Sequence, residues 1–236
     1  MTGSEISGAG VGASRLALFD LDHTLIPFDS GMAWTRFLVT AGALPAEAEA
    51  RYLDFCHQYV AGTLDIHAMH RASMQPLRTI APHRLQALRR AFEAEMHVRL
   101  PAAMQKLVAS HRERGDLCAV VTATSRLVAE PFTRGFGIDH LVATEAVLAD
   151  GLPTGEIDGL PCFREHKVAR VAAWLGGRRL ADFAQSWFYS DSISDLPLLQ
   201  AVSHPVAVQP DARLRAHAVA AGWPVLDGEA RSTAPG

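Results

Sequence analysis

The chain has 236 residues, 49% hydrophobic and 20% charged, enough to bury a sizeable core in one large domain or two unequal ones. A net charge of −3 gives no basic footprint, so neither nucleic acid nor an anionic membrane surface is expected as a partner. No apolar run reaches bilayer-spanning length and the first residues lack a basic-then-apolar export pattern, so the expected location is the cytoplasm.

Residues 1–14 are small, Gly-rich and Ser-rich, and read as a disordered head. Gly8-Ala9-Gly10-Val11-Gly12 lies in it, but a dinucleotide-binding loop must follow a strand, and this run precedes the first one. That strand is Leu16-Ala17-Leu18-Phe19, a short apolar run breaking into Asp20-Leu21-Asp22-His23-Thr24. Such runs read as central parallel strands, and ligands of open α/β sheets bind just beyond their carboxyl ends. Asp20 and Asp22 repel each other there unless one is protonated or a cation lies between, and hard oxygen donors favour magnesium. The simpler alternative is a polar turn or helix cap.

Residues 27–99 read as a separate helical bundle inserted after the first strand. Tyr52, Phe55, Cys56, Tyr59 and Val60 form one apolar stripe at helical spacing, and Leu85, Leu88, Phe92 and Met96 another. Pro45 and Pro82 stand where helices begin, and Gly42 and Gly62 where they end. Residues 15–26 and 100–228 then make the α/β core, and 229–236 a loose tail. Leu117-Cys118-Ala119-Val120-Val121 is a second strand running into Thr122, with Ala123, Thr124 and Ser125 opening a helix. Further strands are expected at Leu141 to Thr144, Trp187 to Tyr189 and Pro205 to Val208, and helices around Met104, Val128, Val168 and Leu214. Glu145 to Ile157, with Asp150-Gly151 at its middle, reads as a hairpin. Lys167 falls on a helical segment, and Trp187-Phe188-Tyr189 leads into Ser190-Asp191-Ser192-Ile193-Ser194-Asp195. Taken singly, a Thr after a strand is usually a cap, a helical Lys is usually solvated, and Asp191 with Asp195 suits a helix start.

In order, these elements resemble the haloacid dehalogenase superfamily over about residues 15 to 226: a DxDxT motif, a Thr ending the second strand, an isolated Lys and a DSxxD motif. The resemblance implies a Rossmann-like parallel sheet whose helical insertion is a cap that closes over a phosphate and excludes water. It implies that Asp20 is the nucleophile forming an aspartyl-phosphate, and that Asp22 protonates the leaving alkoxide and then activates water. Thr122 and the backbone at Ala123 would hold phosphoryl oxygens, with Lys167 adding positive charge. Asp20, Asp191 and the backbone carbonyl of Asp22 would ligate Mg2+, Asp195 would orient Lys167 or a metal-bound water, and Thr24 would aim Asp20.

The helical cap makes the chain similar to the phosphoserine phosphatase branch. Asp29, nine residues after Asp20, falls where that branch meets a substrate ammonium, although Asp29 with Ser30 also suits a helix cap. Two departures count against phosphoserine. The branch's Ser-Gly-Gly is here Thr122-Ala123-Thr124, and its carboxylate-gripping Arg aligns with Ser73. Arg71 is close enough to substitute, but two residues along a helix turns a side chain to another face. The expected substrate is therefore a small soluble, amine-bearing phosphomonoester of the histidinol phosphate or amino-alcohol phosphate type, acted on by a monomer or homodimer. Phosphoserine, phosphoryl transfer to another acceptor, a lipid phosphate, and a non-catalytic phosphate-binding protein are the alternatives.

Cys56, Cys118 and Cys162 are odd in number without a CxxC pair, which speaks against structural disulfides or a zinc site. His67 and His70 lie three apart on a helix, as half a metal site would, but packing explains them as well. His23 and His166 flank the motifs, and Trp34, Trp174, Trp187 and Trp223 are spread as core residues are.

Overall fold

The computed structural model describes residues 14–227, so most of the head and all of the tail lie outside the described residues. Strand β1 (Arg15–Phe19) enters the molecule's centre, with Leu16 to Phe19 fully buried. The chain then leaves the sheet for four helices: α1 (Ser30–Thr40), α2 (Glu47–Ala61), α3 (Ile66–Met74), which runs into a 3-10 turn at Gln75–Thr79, and α4 (Pro82–His97). It returns through α5 (Ala102–Glu113), β2 (Leu117–Ser125), α6 (Arg126–Gly135) and β3 (His140–Thr144). A hairpin of β4 (Ala146–Ala149) and β5 (Leu152–Ile157) precedes α7 (His166–Trp174), β6 (Gln185–Ser190), α8 (Leu196–Ala201), β7 (His204–Val208), α9 (Ala212–Ala221) and the two-residue β8 (Val225–Leu226).

The six-stranded sheet has the order β3-β2-β1-β6-β7-β8, with every pairing parallel. β1 therefore lies between β2 and β6, and the chain winds outward from it in both directions. At such a switch point the loops leaving neighbouring strands diverge and a crevice opens at their carboxyl ends. The loops after β1 and β6 and the last residues of β2 carry the three polar motifs, so the topology alone gathers them.

Local chemistry explains the punctuation. Gly62 ends α2 in the left-handed region and Pro82 occupies the first turn of α4. Asp150 and Gly151, both at positive φ, turn the hairpin tightly between antiparallel strands. The second strand corrects the sequence expectation. It runs through Ala123 and Thr124 to Ser125 with a register shift against β3, and the helix opens only at Arg126. Thr122 is thus inside a bulged strand, its hydroxyl accepting from the Thr124 amide at 3.1 Å.

The inserted helices share a core with the sheet. Phe92 of α4 meets Trp34 of α1 and Phe132 of α6 edge to face, at 5.0 and 5.9 Å between ring centres. An aromatic so buried contributes about 1.5–3 kcal/mol by burial alone. The stripe on α4 is inward as expected, but that on α2 is not: Tyr52 is buried while Val60 is 84% exposed. α2 packs against α1 and α3 rather than the sheet, and its far end instead sends the Tyr59 hydroxyl to Ser192 and Ser194, at 2.7 and 2.9 Å. At the sheet's opposite rim, buried His111 joins Asp116 before β2 to Tyr189 in β6, at 2.7 and 2.8 Å. The three cysteines are free. Among the described residues no helix is long and apolar enough to cross a membrane.

Candidate active site

Five sequence-predicted residues, Asp20, Thr24, Lys167, Asp191 and Asp195, are linked by hydrogen bonds at the carboxyl ends of β1 and β6. Lys167, in the first turn of α7, reaches Asp20 Oδ1 at 2.8 Å and Asp195 Oδ2 at 2.7 Å, and all three side chains are buried. Burial works against the ammonium, but Asp195 and Asp20 outweigh it and hold Lys167 well above its usual range. The Ser190 hydroxyl donates to the same Asp195 oxygen at 2.7 Å, so Asp195 fixes the lysine from behind. The Thr24 hydroxyl lies 3.3 Å from both Asp20 Oδ2 and Asp191 Oδ1 and accepts from the Asp191 amide at 3.0 Å. One threonine thereby joins the first motif to the fourth.

Burial pushes Asp20 up to about 7 despite the pull of Lys167, and burial together with Asp20 pushes Asp191 up to about 8. A buried and a half-buried carboxyl flanking one hydroxyl are a hard-oxygen set that a divalent cation would relieve. No cluster of three acidic, His or Cys side chains forms among the described residues. Mg2+ is commonly held by one or two carboxylates, with backbone oxygens, water or substrate completing its shell.

The Asp22 side chain turns away from this pair. Its Oδ1 accepts from the Ser30 amide and its Oδ2 from the Thr124 hydroxyl, each at 2.6 Å. Burial, with Asp29 nearby, pushes Asp22 up to about 6, a value suited to giving and taking a proton near neutrality. Ser30 and Thr124 are the Asp22 partners that the sequence does not single out: by local pattern Thr124 is a helix opener and Ser30 a companion cap to Asp29.

Two other predicted residues lie apart from these contacts. Asp29 caps α1, one oxygen accepting from the Met32 amide at 2.7 Å and from the Tyr52 hydroxyl at 3.1 Å. Arg71 is exposed and ion-paired with Glu156 of β5 at 3.0 Å, held to the hairpin rather than turned toward the carboxyls. Ser73, where the resemblance would put an Arg, lines a small cavity between the inserted helices and β2, together with Tyr52, His70, Ala123 and Thr124. His67 is exposed while His70 is buried, so the pair does not share a face.

Burial, with His67 beside it, pulls His70 down to about 4 against the opposing influence of Glu156. The native ring therefore stays neutral while an unfolded one protonates below pH 6.5. Its contribution to stability is intact above pH 6.5 and is lost progressively as pH falls toward 4. Between pH 7 and pH 5 the wild type should lose about 1–2 kcal/mol more than His70→Leu. Urea unfolding at the two pH values measures this, and equal losses would show that the ring is accessible to protons.

Comparison with known proteins identifies the family. The family model of haloacid dehalogenase-like hydrolases matches residues 17–200. The chain belongs to that family, and it is a phosphatase. Phosphatases of the family generally use Mg2+. A histidinol-phosphatase of Neisseria meningitidis serogroup C (strain 8013) is 40% identical over 218 residues, 90% of this chain and 98% of that protein. A crystal structure of a protein of unknown function from Bordetella pertussis Tohama I is 44% identical with a TM-score of 0.84, covering 91% of this chain and 99% of that one. A substrate-bound phosphoserine phosphatase, 16% identical with a TM-score of 0.64, covers 91% and 93% and shares the fold.

Proposed function

We propose that the protein hydrolyses a small, amine-bearing phosphomonoester of the histidinol phosphate type through an aspartyl-phosphate. The observation that carries this reading is the division of labour between two carboxyls of one loop: Asp20 is tied to Lys167, and Asp22 to Ser30 and Thr124. A carboxylate oxygen of Asp20 bonds to phosphorus as the bond to the leaving oxygen breaks, and Asp22 gives its proton to that oxygen. Asp22 then takes a proton from water as the water oxygen bonds to phosphorus, and the Asp20 carboxylate leaves with inorganic phosphate as the other product. Lys167 sets positive charge against the phosphoryl oxygens, and the Thr122–Ala123 backbone offers donors to them. Asp20, Asp191 and the Asp22 carbonyl would hold Mg2+, which supplies further positive charge beside the phosphoryl group.

Two facts favour the substrate class. The Neisseria relative spans nearly its whole length on this chain. No Lys or Arg lines the cavity beside Thr124, so a phosphoserine carboxylate meets no cationic partner there. Asp29, adjacent in sequence to the Ser30 amide that holds Asp22, supplies negative charge for the amine. The test is steady-state hydrolysis of a phosphomonoester panel with Mg2+. Histidinol phosphate should exceed phosphoserine at least tenfold in kcat/KM, and a preference for phosphoserine or for neutral sugar phosphates would reject the assignment.

A further inference from the structure

We infer that Tyr59 is a positioning residue for the phosphatase reaction: its hydroxyl, carried on α2 of the inserted bundle, sets the loop after β6 that holds Asp195 behind Lys167. This rests on the roles given above to Asp20 and Lys167, and not on the choice of substrate.

Tyr59 belongs to the apolar stripe of α2, yet its oxygen ends among hydroxyls. Tyr59 Oη lies 2.7 Å from Ser192 Oγ and 2.9 Å from Ser194 Oγ, and the two serine oxygens lie 3.0 Å apart. Each hydroxyl has one proton to give and two lone pairs, so a closed triangle lets all three donate once and accept once. Ser192 Oγ also accepts from the Ser194 amide at 3.2 Å, which takes its second lone pair. Without the Tyr59 oxygen the triangle opens and one serine proton loses its acceptor.

The triangle continues into the chemistry. The Ser192 amide donates to Ser190 Oγ at 3.2 Å, and because an amide N–H only donates, the Ser190 proton is left for Asp195 Oδ2, 2.7 Å away. That same Asp195 oxygen meets Lys167 Nζ at 2.7 Å, and Lys167 reaches Asp20 Oδ1 at 2.8 Å. Ser190, Ser192 and Asp195 are buried, so little solvent stands ready to replace a lost partner. From the core, Asp211 holds the loop at the Ile193 amide, 2.7 Å away, while Tyr59 reaches its serines from the bundle. A shift of this loop moves Asp195 and the ammonium with it, and a misplacement of about 1 Å at a reacting group can cost roughly 10²-fold in rate.

The same end of α2 is tied to the core a second way. Arg164 Nη2 donates to the Gly62 carbonyl at 2.9 Å, and its guanidinium lies 4.8 Å from the centre of the Phe163 ring. Tyr59 packs on Phe163 too, with ring centres 6.1 Å apart. Arg164 therefore anchors the helix without entering the hydroxyl path, which allows anchoring and positioning to be told apart.

The test is steady-state turnover of the full chain with Mg2+ on the panel ester it cleaves best, alongside urea unfolding. Tyr59→Phe keeps the ring on Phe163 and should lower kcat about tenfold, with KM and the unfolding midpoint near wild type. Arg164→Met loosens the same helix end, and its kcat should stay within about twofold of wild type. Ser190→Ala cuts the path between the triangle and Asp195, so in that background Tyr59→Phe should lower kcat by less than about twofold more. Wild-type kcat in Tyr59→Phe, equal kcat losses in Tyr59→Phe and Arg164→Met, or losses that multiply in the Ser190→Ala background would each overturn the inference. Turnover that survives Asp20→Asn would instead remove the assignment beneath it. Should Ser190→Ala not fold, the contrast between Tyr59→Phe and Arg164→Met decides by itself.

Discussion

Asp20→Asn is expected to reduce turnover by on the order of 10⁴-fold or more while leaving the fold intact, since removing a covalent nucleophile removes the route itself. The amide keeps the shape of the carboxyl and can still accept from Thr24, which lies 3.3 Å away. Lys167 retains Asp195 at 2.7 Å, so no buried charge is orphaned. Burial, with Asp195 and Asp22 nearby, also pushes the Asp20 carboxyl up. Replacing it relieves that repulsion, and stability should change by no more than about 1 kcal/mol. Measuring kcat alongside urea unfolding separates the two effects. Activity within tenfold of wild type would reject Asp20 as the nucleophile, and a collapsed fold would show that its role is structural.

Lys167→Met is expected to fail in both respects. The ammonium is the shared partner of two buried carboxyls, Asp20 and Asp195. Removing one member of a buried pair costs about 3–5 kcal/mol because the remaining charges lose their partner in a medium that solvates them poorly. The same ammonium is aimed at the phosphoryl oxygens, so a properly folded fraction should still lose roughly 10²–10³-fold in kcat. A double-mutant cycle divides these contributions. Lys167→Met with Asp195→Asn should recover part of the stability, because one uncompensated charge is gone, yet recover no activity. If the single variant kept wild-type stability, the lysine would be solvated in solution rather than held between the two carboxyls.

The contrast between these residues and Arg71 shows why distance in sequence matters. Arg71 is as basic as Lys167 and lies in the segment where the resemblance anticipates a substrate contact. Its partner, Glu156, is 85 residues away on the hairpin. Nothing in the local pattern of α3 signals that pairing, because it depends on the hairpin packing against α3. The exposed pair is worth little to stability, but it sets the direction in which the side chain points. Likewise, Thr124 was visible as a polar residue after an apolar run. Whether the chain there continues as strand or turns into helix was settled by pairing with β3, and that choice brought its hydroxyl to Asp22.

By itself the amino-acid order determined what short-range physics governs: the apolar runs of the parallel strands, the helical character of residues 30–97, the Asp150-Gly151 turn, and the assignment of acidic motifs to strand ends. These follow from periodicity, capping and turn preferences that act over a few residues. Only the tertiary structure decided who touches whom. Lys167 lies between Asp20 and Asp195 across a separation of 147 residues from the first, and Asp22 is clamped by Thr124 from 102 residues away. Trp34, His70 and Ser125 come from three separate stretches of the chain to line one cavity. Such meetings depend on strand order and on how the inserted helices pack over the sheet, which no window of neighbouring residues encodes.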